Sequence, residues 1–308
     1  MSSQKLLICI VGPTAVGKTK IAISVAKHFG AEIISADSRQ MFKEIAIGTA
    51  KPTPSEIAQV KHHFVDVLNL EDDYSAGQFE RESLEFLNTY FQNNDVCVCA
   101  GGSGLYVNAL LYGFDELPSD EGVRAEIIAL YEKEGISALQ RELETLDPEY
   151  FNYIDQSNTQ RVMRAIEVCR VSGKKNSELR TGQKKERPFK TAVIGLSRER
   201  EELYRRINAR VDLMLKEGLV EEVKSVYDRK HLNSLNTVGY RELFGALDGD
   251  YDIEEAIRLI KRNSRRFAKR QLTWFKRLPE INWFHPEEDD KLRKHLDQFY
   301  KGGKLSED

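Results

Sequence analysis

Gly12-Pro13-Thr14-Ala15-Val16-Gly17-Lys18-Thr19 is a complete G-x-x-x-x-G-K-T loop, set between an apolar run from Leu6 to Val11 and a helical pattern from Ile21 to Phe29. Its glycines let the backbone curl so that successive N–H groups point inward, and the helix that follows adds the positive end of its dipole. Lys18 supplies a point charge, and Thr19 a hydroxyl suited to Mg²⁺. These eight residues make a cradle for a diphosphate. Which bond breaks there is left open, because a nucleotide kinase, an NTP-driven motor and an enzyme that expels pyrophosphate all need the same donors.

A motor would end a neighbouring buried strand with an acid that holds Mg²⁺, yet Val96-Cys97-Val98-Cys99-Ala100 runs into Gly101-Gly102-Ser103. The available carboxylate is instead Asp37. It follows an expected strand, Glu32–Ala36, at the carboxyl edge of a sheet, where open α/β proteins bind ligands. As a residue type it serves equally as a turn or cap residue and as a catalyst. Asp37-Ser38-Arg39-Gln40 and Gly101-Gly102-Ser103-Gly104 should meet above the cradle, because both follow strands of one parallel sheet. Their carboxylate, hydroxyl and amide can hold an amino-purine edge and remove a proton. His62 and His63 are adjacent, without the i,i+4 spacing of a helical zinc site, and read as structural. Cys9, Cys97, Cys99 and Cys169 read as reduced core thiols.

Net charge is −3, from 46 Lys and Arg against 49 Asp and Glu, but the balance is uneven along the chain. Between Arg258 and Arg277 there are nine Lys or Arg and no acid. Arg258, Lys261/Arg262, Arg265/Arg266 and Lys269/Arg270 recur at helical spacing, while Ile257, Ile260, Phe267 and Phe275 take another face. An outward basic stripe on an amphipathic helix is the expectation, and a one-sign stripe in an acidic protein points toward nucleic acid.

These groups need a scaffold, and 308 residues of ordinary soluble composition allow about two domains. The first hundred residues alternate strand and helix. The fold class expected is α/β: a P-loop NTPase-like parallel sheet flanked by helices, with the loop's own strand central and an all-helical insertion domain. The core comprises residues 1–116 and 186–308, and the insertion 117–185. Within the insertion, Pro118-Ser119-Asp120 caps a helix, Ser137-x-x-Gln140 resembles a capping box, and Asp147-Pro148 opens another helix. The chain returns to the core with strand Phe189–Leu196 and a helix whose Leu203, Ile207, Val211 and Leu215 share a face. No run approaches the roughly 18 apolar residues of a membrane span, and no signal-peptide pattern is present, so a cytoplasmic protein without membrane partners is expected.

The loop, Ile34-Ser35-Ala36-Asp37-Ser38-Arg39-Gln40, Ile47-Gly48-Thr49-Ala50-Lys51-Pro52, Tyr74-Ser75-Ala76-Gly77-Gln78-Phe79 and Gly101-Gly102-Ser103-Gly104-Leu105-Tyr106 are successive motifs. So are Gln160-Arg161, Arg206-Ile207-Asn208-Ala209-Arg210-Val211-Asp212, Val238-Gly239-Tyr240 and Lys269-Arg270-Gln271-Leu272-Thr273-Trp274-Phe275. In this order they span nearly the whole chain, which thereby resembles the bacterial tRNA dimethylallyltransferases. The resemblance implies transfer of a dimethylallyl group from dimethylallyl diphosphate to N6 of the adenosine 3′ of the tRNA anticodon, releasing pyrophosphate. It implies catalytic roles for Asp37 as general base, for Ser103 in place of a threonine hydroxyl, and for Lys18 and Arg210 at the diphosphate. Thr19 would hold Mg²⁺ as cofactor. The anticodon stem-loop would meet Asp37, Ser38, Arg39 and Gln40, then Gln160, Arg161 and Arg164 of the insertion, and Lys269, Arg270 and Trp274, with the enzyme acting as a monomer. Leu272 and Phe275 flank Trp274 and favour core packing there over stacking, and salt bridges within the insertion suit its arginines. A P-loop small-molecule or nucleotide kinase and an adenylate prenyltransferase are the rivals. The first requires ATP consumption, and the basic stripe argues against the second.

Overall fold

Aliphatic runs bounded by glycine and polar turns become six strands: β1 (Leu6–Val11), β2 (Ile33–Ser35), β3 (His62–His63), β4 (Val96–Gly101), β5 (Lys190–Leu196) and β6 (Ile281–Phe284). The structure, a computed structural model, describes residues 5–302. The strand order is β3-β2-β4-β1-β5-β6 and every pairing is parallel. β1 is therefore central, as the alternation of strand and helix predicts. All six of its residues are buried, which is why they read as an unbroken apolar run rather than an alternating one. The expected strand Glu32–Ala36 shortens to three residues. The Glu32 carboxylate is held by His63, and Ala36 donates to Ala100 O (2.8 Å) just before the chain turns at Asp37.

Helix Lys18–Phe29 packs Ile21, Ala22, Val25 and Ala26 onto the sheet and ends at Gly30 in the left-handed region. Helix Arg200–Lys216 buries Leu203, Ile207 and Val211, the face its periodicity predicts. A second apolar cluster joins Phe42, Ile45, Leu70, Val211, Leu219, Tyr240, Leu243 and Ile260. It anchors the loops that continue the carboxyl edge of the sheet. All four cysteines are free and buried. His62 Nδ1 contacts Val60 O (2.8 Å), so both histidines have structural partners. Among the described residues, no helix is long and apolar enough to cross a membrane.

Of the described residues, one compact unit falls within Met1–Leu111 and Arg187–Asp308, and a second is Tyr112–Glu186. The second unit holds helices Glu121–Glu134, Ile136–Leu146, Pro148–Tyr153, Thr159–Ser172 and Asn176–Leu179, with no strand among them. Ile127, Leu139, Leu143, Val162, Met163 and Ile166 form its own core. Asp120 caps the first helix by accepting from Val123 N (2.9 Å), and Asp147-Pro148 opens the third. Asp147 is fully buried and also accepts from Ser177 N (2.7 Å) and Ser177 Oγ (2.9 Å), so each of its oxygens has a partner in the apolar interior. The capping box expected at Ser137 does not form. That helix starts two residues earlier, with Gly135 as its N-cap, and Gln140 instead donates to Gln156 O (3.1 Å).

Candidate functional site

Between β1 and helix Lys18–Phe29 the chain must reverse tightly, and the residues between them are shaped for it. Gly12 has φ 153° and Gly17 φ 114°, and a Cβ on Gly12 would lie 2.7 Å from Leu196 O at the end of β5. Ala15 is also left-handed, with φ 62°. Two arginines hold the loop by its carbonyls: Arg198 Nε donates to Val16 O (3.0 Å), and Arg206 Nε, in the cavity wall, to Ala15 O (2.9 Å). With those carbonyls held, the loop keeps the curled course of an anion-binding turn, though Thr14 N is taken by the Gln271 side chain (2.8 Å) and Val16 N by Pro13 O (3.4 Å).

The cradle opens into a cavity of about 1030 Å³, ample for a small diphosphate together with a purine. Thr14, Ala15, Gly17, Lys18 and Thr19 form one wall. Asp37, Ser38, Arg39 and Gln40 form another, with Gly101-Gly102-Ser103-Gly104 beside them. The last two segments do come together. Ser103 N donates to Ala36 O (3.1 Å), and Ser103 Oγ accepts from Ser38 N (2.9 Å) while donating to Ser38 Oγ (3.1 Å). Asp37 Oδ1 accepts from Arg39 N (3.0 Å), so the carboxylate is a turn residue and a cavity residue at once. Gln40 is committed to the scaffold, donating to Ala50 O (3.0 Å) and accepting from Ser35 Oγ (3.1 Å). Arg39 Nη1 donates to Ser234 O (3.0 Å).

Seven basic side chains line the cavity, Lys18, Lys20, Arg39, Arg206, Arg210, Arg241 and Arg270, against the acids Asp37 and Glu56. Such a surplus suits a polyanion. Lys18 Nζ donates to Pro13 O (2.9 Å). Desolvation lowers its pKa to about 8, with Arg210 pushing the same way and Asp37 opposing. Arg210 Nη1 donates to Thr14 Oγ1 (3.3 Å), and desolvation also lowers its pKa. Tyr106, in the cavity wall, is pushed up to about 12 by desolvation, so it stays a protonated phenol. The oxygen donors here, the Thr19 hydroxyl and the Asp37 carboxylate among them, fit a hard cation such as Mg²⁺.

A third wall belongs to helix Ile253–Phe275, and here the sequence reading needs correction. The stripe does not lie outward as a whole. Lys261 pairs with Asp212 (2.5 Å), Arg265 Nη1 donates to Asn208 Oδ1 (2.7 Å), and Arg258 turns back to Glu255. Arg266, Lys269 and Arg270 are exposed, and of these Arg270 lines the cavity. Phe267, expected on the packed face, is 39% exposed and also lines the cavity, with the Arg270 guanidinium 5.7 Å from its ring centre. The buried seam is Ala256, Ile260, Ala268, Gln271 and Phe275. At 100° per residue position 267 falls within the arc of that seam, so Phe267 is exposed because the cavity opens beside it, not because its phase is wrong. Trp274 is half-buried against Gly104, and it lines the cavity, so packing and site coincide there.

Gln160, Arg161 and Arg164 belong to helix Thr159–Ser172 of the second unit. Arg164 donates to Pro118 O (2.9 Å) and Leu117 O (3.0 Å) and pairs with buried Glu167 (3.1 Å). Gln160 accepts from Arg124 (2.6 Å), and Arg161 is exposed. Arg198, the supporting role of Arg206 and above all Gln271 escaped the sequence reading. The one available signal was an amide at a core position of an otherwise apolar seam.

The sequence matches the family described as IPP transferase over residues 40–278. It is 49% identical to tRNA dimethylallyltransferase 1 of Bacteroides thetaiotaomicron, covering 94% of each chain. It is 52% identical to tRNA dimethylallyltransferase of Cytophaga hutchinsonii, covering 96% of this chain and 97% of that one. A solved structure, the full-length tRNA isopentenylpyrophosphate transferase of Bacillus halodurans, superposes with a TM-score of 0.72 at 37% identity over 97% of both chains.

Proposed function

The chain belongs to the IPP transferase family, and from that premise we propose that it transfers a dimethylallyl group from dimethylallyl diphosphate to N6 of the adenosine 3′-adjacent to the anticodon in tRNA, releasing pyrophosphate. The observation that carries this reading is the sharing of one cavity by the Asp37 carboxylate and the Lys18 cradle. A diphosphate seated on the loop amides would meet Lys18 and Arg210. An adenine extruded from a single-stranded loop, at a cost of a few kcal/mol, would present its amine to Asp37.

An exocyclic amine is a poor nucleophile because its lone pair is delocalised into the ring. Asp37 removes its proton as the N–C bond forms. The allylic C–O bond breaks with its electron pair going to pyrophosphate, and the loop amides, Lys18 and Arg210 stabilise that charge increasingly toward the transition state. Thr19, with the diphosphate oxygens, would hold Mg²⁺, which when bound helps neutralise the leaving group. Ser103 keeps the Asp37 turn against the glycine-rich loop through Ser38. Arg270 and exposed Lys269 would take RNA phosphates, and Phe267 and Trp274 offer aromatic faces.

Mass spectrometry of nucleosides from tRNA incubated with the protein, Mg²⁺ and dimethylallyl diphosphate tests the reading, and a dimethylallyl adduct on adenosine is expected. AMP as a competing acceptor addresses the nucleotide prenyltransferase alternative. ATP turnover with a small acceptor and no consumption of dimethylallyl diphosphate would replace the proposal with a kinase.

A further inference from the structure

One amide side chain ties two walls of the cavity to the helix that forms a third. Gln271 is 7% exposed. Its Oε1 accepts from Thr14 N in the cradle (2.8 Å), and its Nε2 donates to Gly102 O in the loop after β4 (2.9 Å). The partners fix which end is which, because exchanging them would set donor against donor and acceptor against acceptor. A Cβ on Gly102 would lie 2.4 Å from that Nε2, so glycine lets the amide close on the loop. The rest of the seam is filled by Ile260, Ala268 and Phe275, where an apolar residue would pack without needing two precise partners.

Phe267, Arg270 and Trp274, within a turn of Gln271 on either side, line the same cavity. One helix thus carries both the groups suited to RNA and the only side chain among the described residues with hydrogen bonds to both Thr14 and Gly102. A small shift of the helix draws the Thr14 amide and the Gly102 carbonyl with it.

We propose that Gln271 is a positioning residue that couples RNA seating on helix Ile253–Phe275 to the geometry of the diphosphate cradle, so that the two ligands bind with mutual reinforcement. The inference rests on the RNA prenylation reading above. It assigns Gln271 no contact with reacting atoms.

The test uses the full chain, an anticodon stem-loop RNA and inorganic pyrophosphate. RNA affinity is measured with and without saturating pyrophosphate, and pyrophosphate affinity with and without RNA. Wild type should show reciprocal tightening of about 5-fold or more, the low end of ordinary coupling between sites. Gln271→Met removes both hydrogen bonds at similar volume, and Gln271→Asn is polar but too short to span both partners. Each should bring the coupling factor to within about 2-fold of unity, with each ligand's separate affinity within about 3-fold of wild type. A merely structural glutamine would lower the melting temperature and weaken both ligands while leaving the factor intact. Retention of the wild-type factor in either folded variant overturns the proposal, and Gln271→Asn decides if Gln271→Met does not fold. Wild type that binds both ligands independently overturns this inference alone. Wild type that binds neither removes the reading beneath it and this proposal together.

Discussion

The Gly12–Thr19 loop and the basic helix Ile253–Phe275 line one cavity and touch through Gln271, yet they use charge differently. The loop works through backbone: left-handed Ala15 and two arginines on its carbonyls fix its course. Few side chains are involved, and their spacing dictates their place. The helix works through side chains, and its cations divide among unrelated tasks. Lys261 and Arg265 brace the neighbouring helix Arg200–Lys216, whereas Arg270 reaches the cavity. A motif whose function resides in main-chain geometry behaves as a unit, while a run of like charges does not.

The largest expected effect falls where turn and chemistry share one carboxylate. Asp37→Ala should lower turnover by about 10² to 10⁴, the usual span for losing a general base, with RNA affinity changed only a few-fold. Asp37→Asn separates the two roles, because its side-chain oxygen can still accept from Arg39 N. Equal losses in both variants identify proton removal. Recovery of near-normal single-turnover rates by Asn would reduce Asp37 to a turn residue.

Lys18→Ala comes next, at about 10² to 10³ in turnover, as for other donors to a developing anion. Its acidity adds a pH test. The free cradle's Lys18 has a pKa of about 8, and a bound polyanion raises it, so pyrophosphate binding takes up a proton. Affinity should therefore fall as pH rises through about 8, until the higher bound-state value is passed. Pyrophosphate titrates too, and Lys18→Arg supplies the subtraction. The Arg variant should keep only the ligand's own slope, and isothermal titration in two buffers of different ionisation enthalpy reads the proton difference directly.

The sequence made the loop side of the cavity legible to the residue, because apolar run, glycine spacing and helix start are local signals that agree. Parallel β2 and β4 could be inferred to bring Asp37 beside Ser103, since strands of one parallel sheet deliver their following loops to one edge. The far wall was legible only as composition. Whether Lys261 meets Asp212, or Phe267 faces the cavity, depends on what lies opposite each turn of the helix, which the helix's own periodicity does not carry. Gln271 was hidden for the same reason: its partners Thr14 and Gly102 are distant in sequence, and nothing local marks a glutamine as buried.

Neutralising Lys269 and Arg270 together should weaken RNA binding and flatten its dependence on salt. At about 0.7 per phosphate contact for a single strand, losing two contacts reduces the log–log slope by about 1.4. An unchanged slope would mean that RNA does not lie along this end of the helix.

The smallest effect expected is the one that separates brace from binding surface within the same run. Lys261→Met breaks the pair with Asp212, whose side chain is 50% exposed. Solvent screens such a pair, so the loss should be at most about 1 kcal/mol, a fall in melting temperature of about 2–4 °C for a domain of this size. The salt slope of RNA binding should stay at its wild-type value, because an ammonium already paired across to Asp212 releases no counterion from a phosphate. Were the slope to fall as far for Lys261→Met as for a neutralised Lys269, the stripe would be acting as a single electrostatic surface, and the division between bracing cations and cavity-facing ones would not hold.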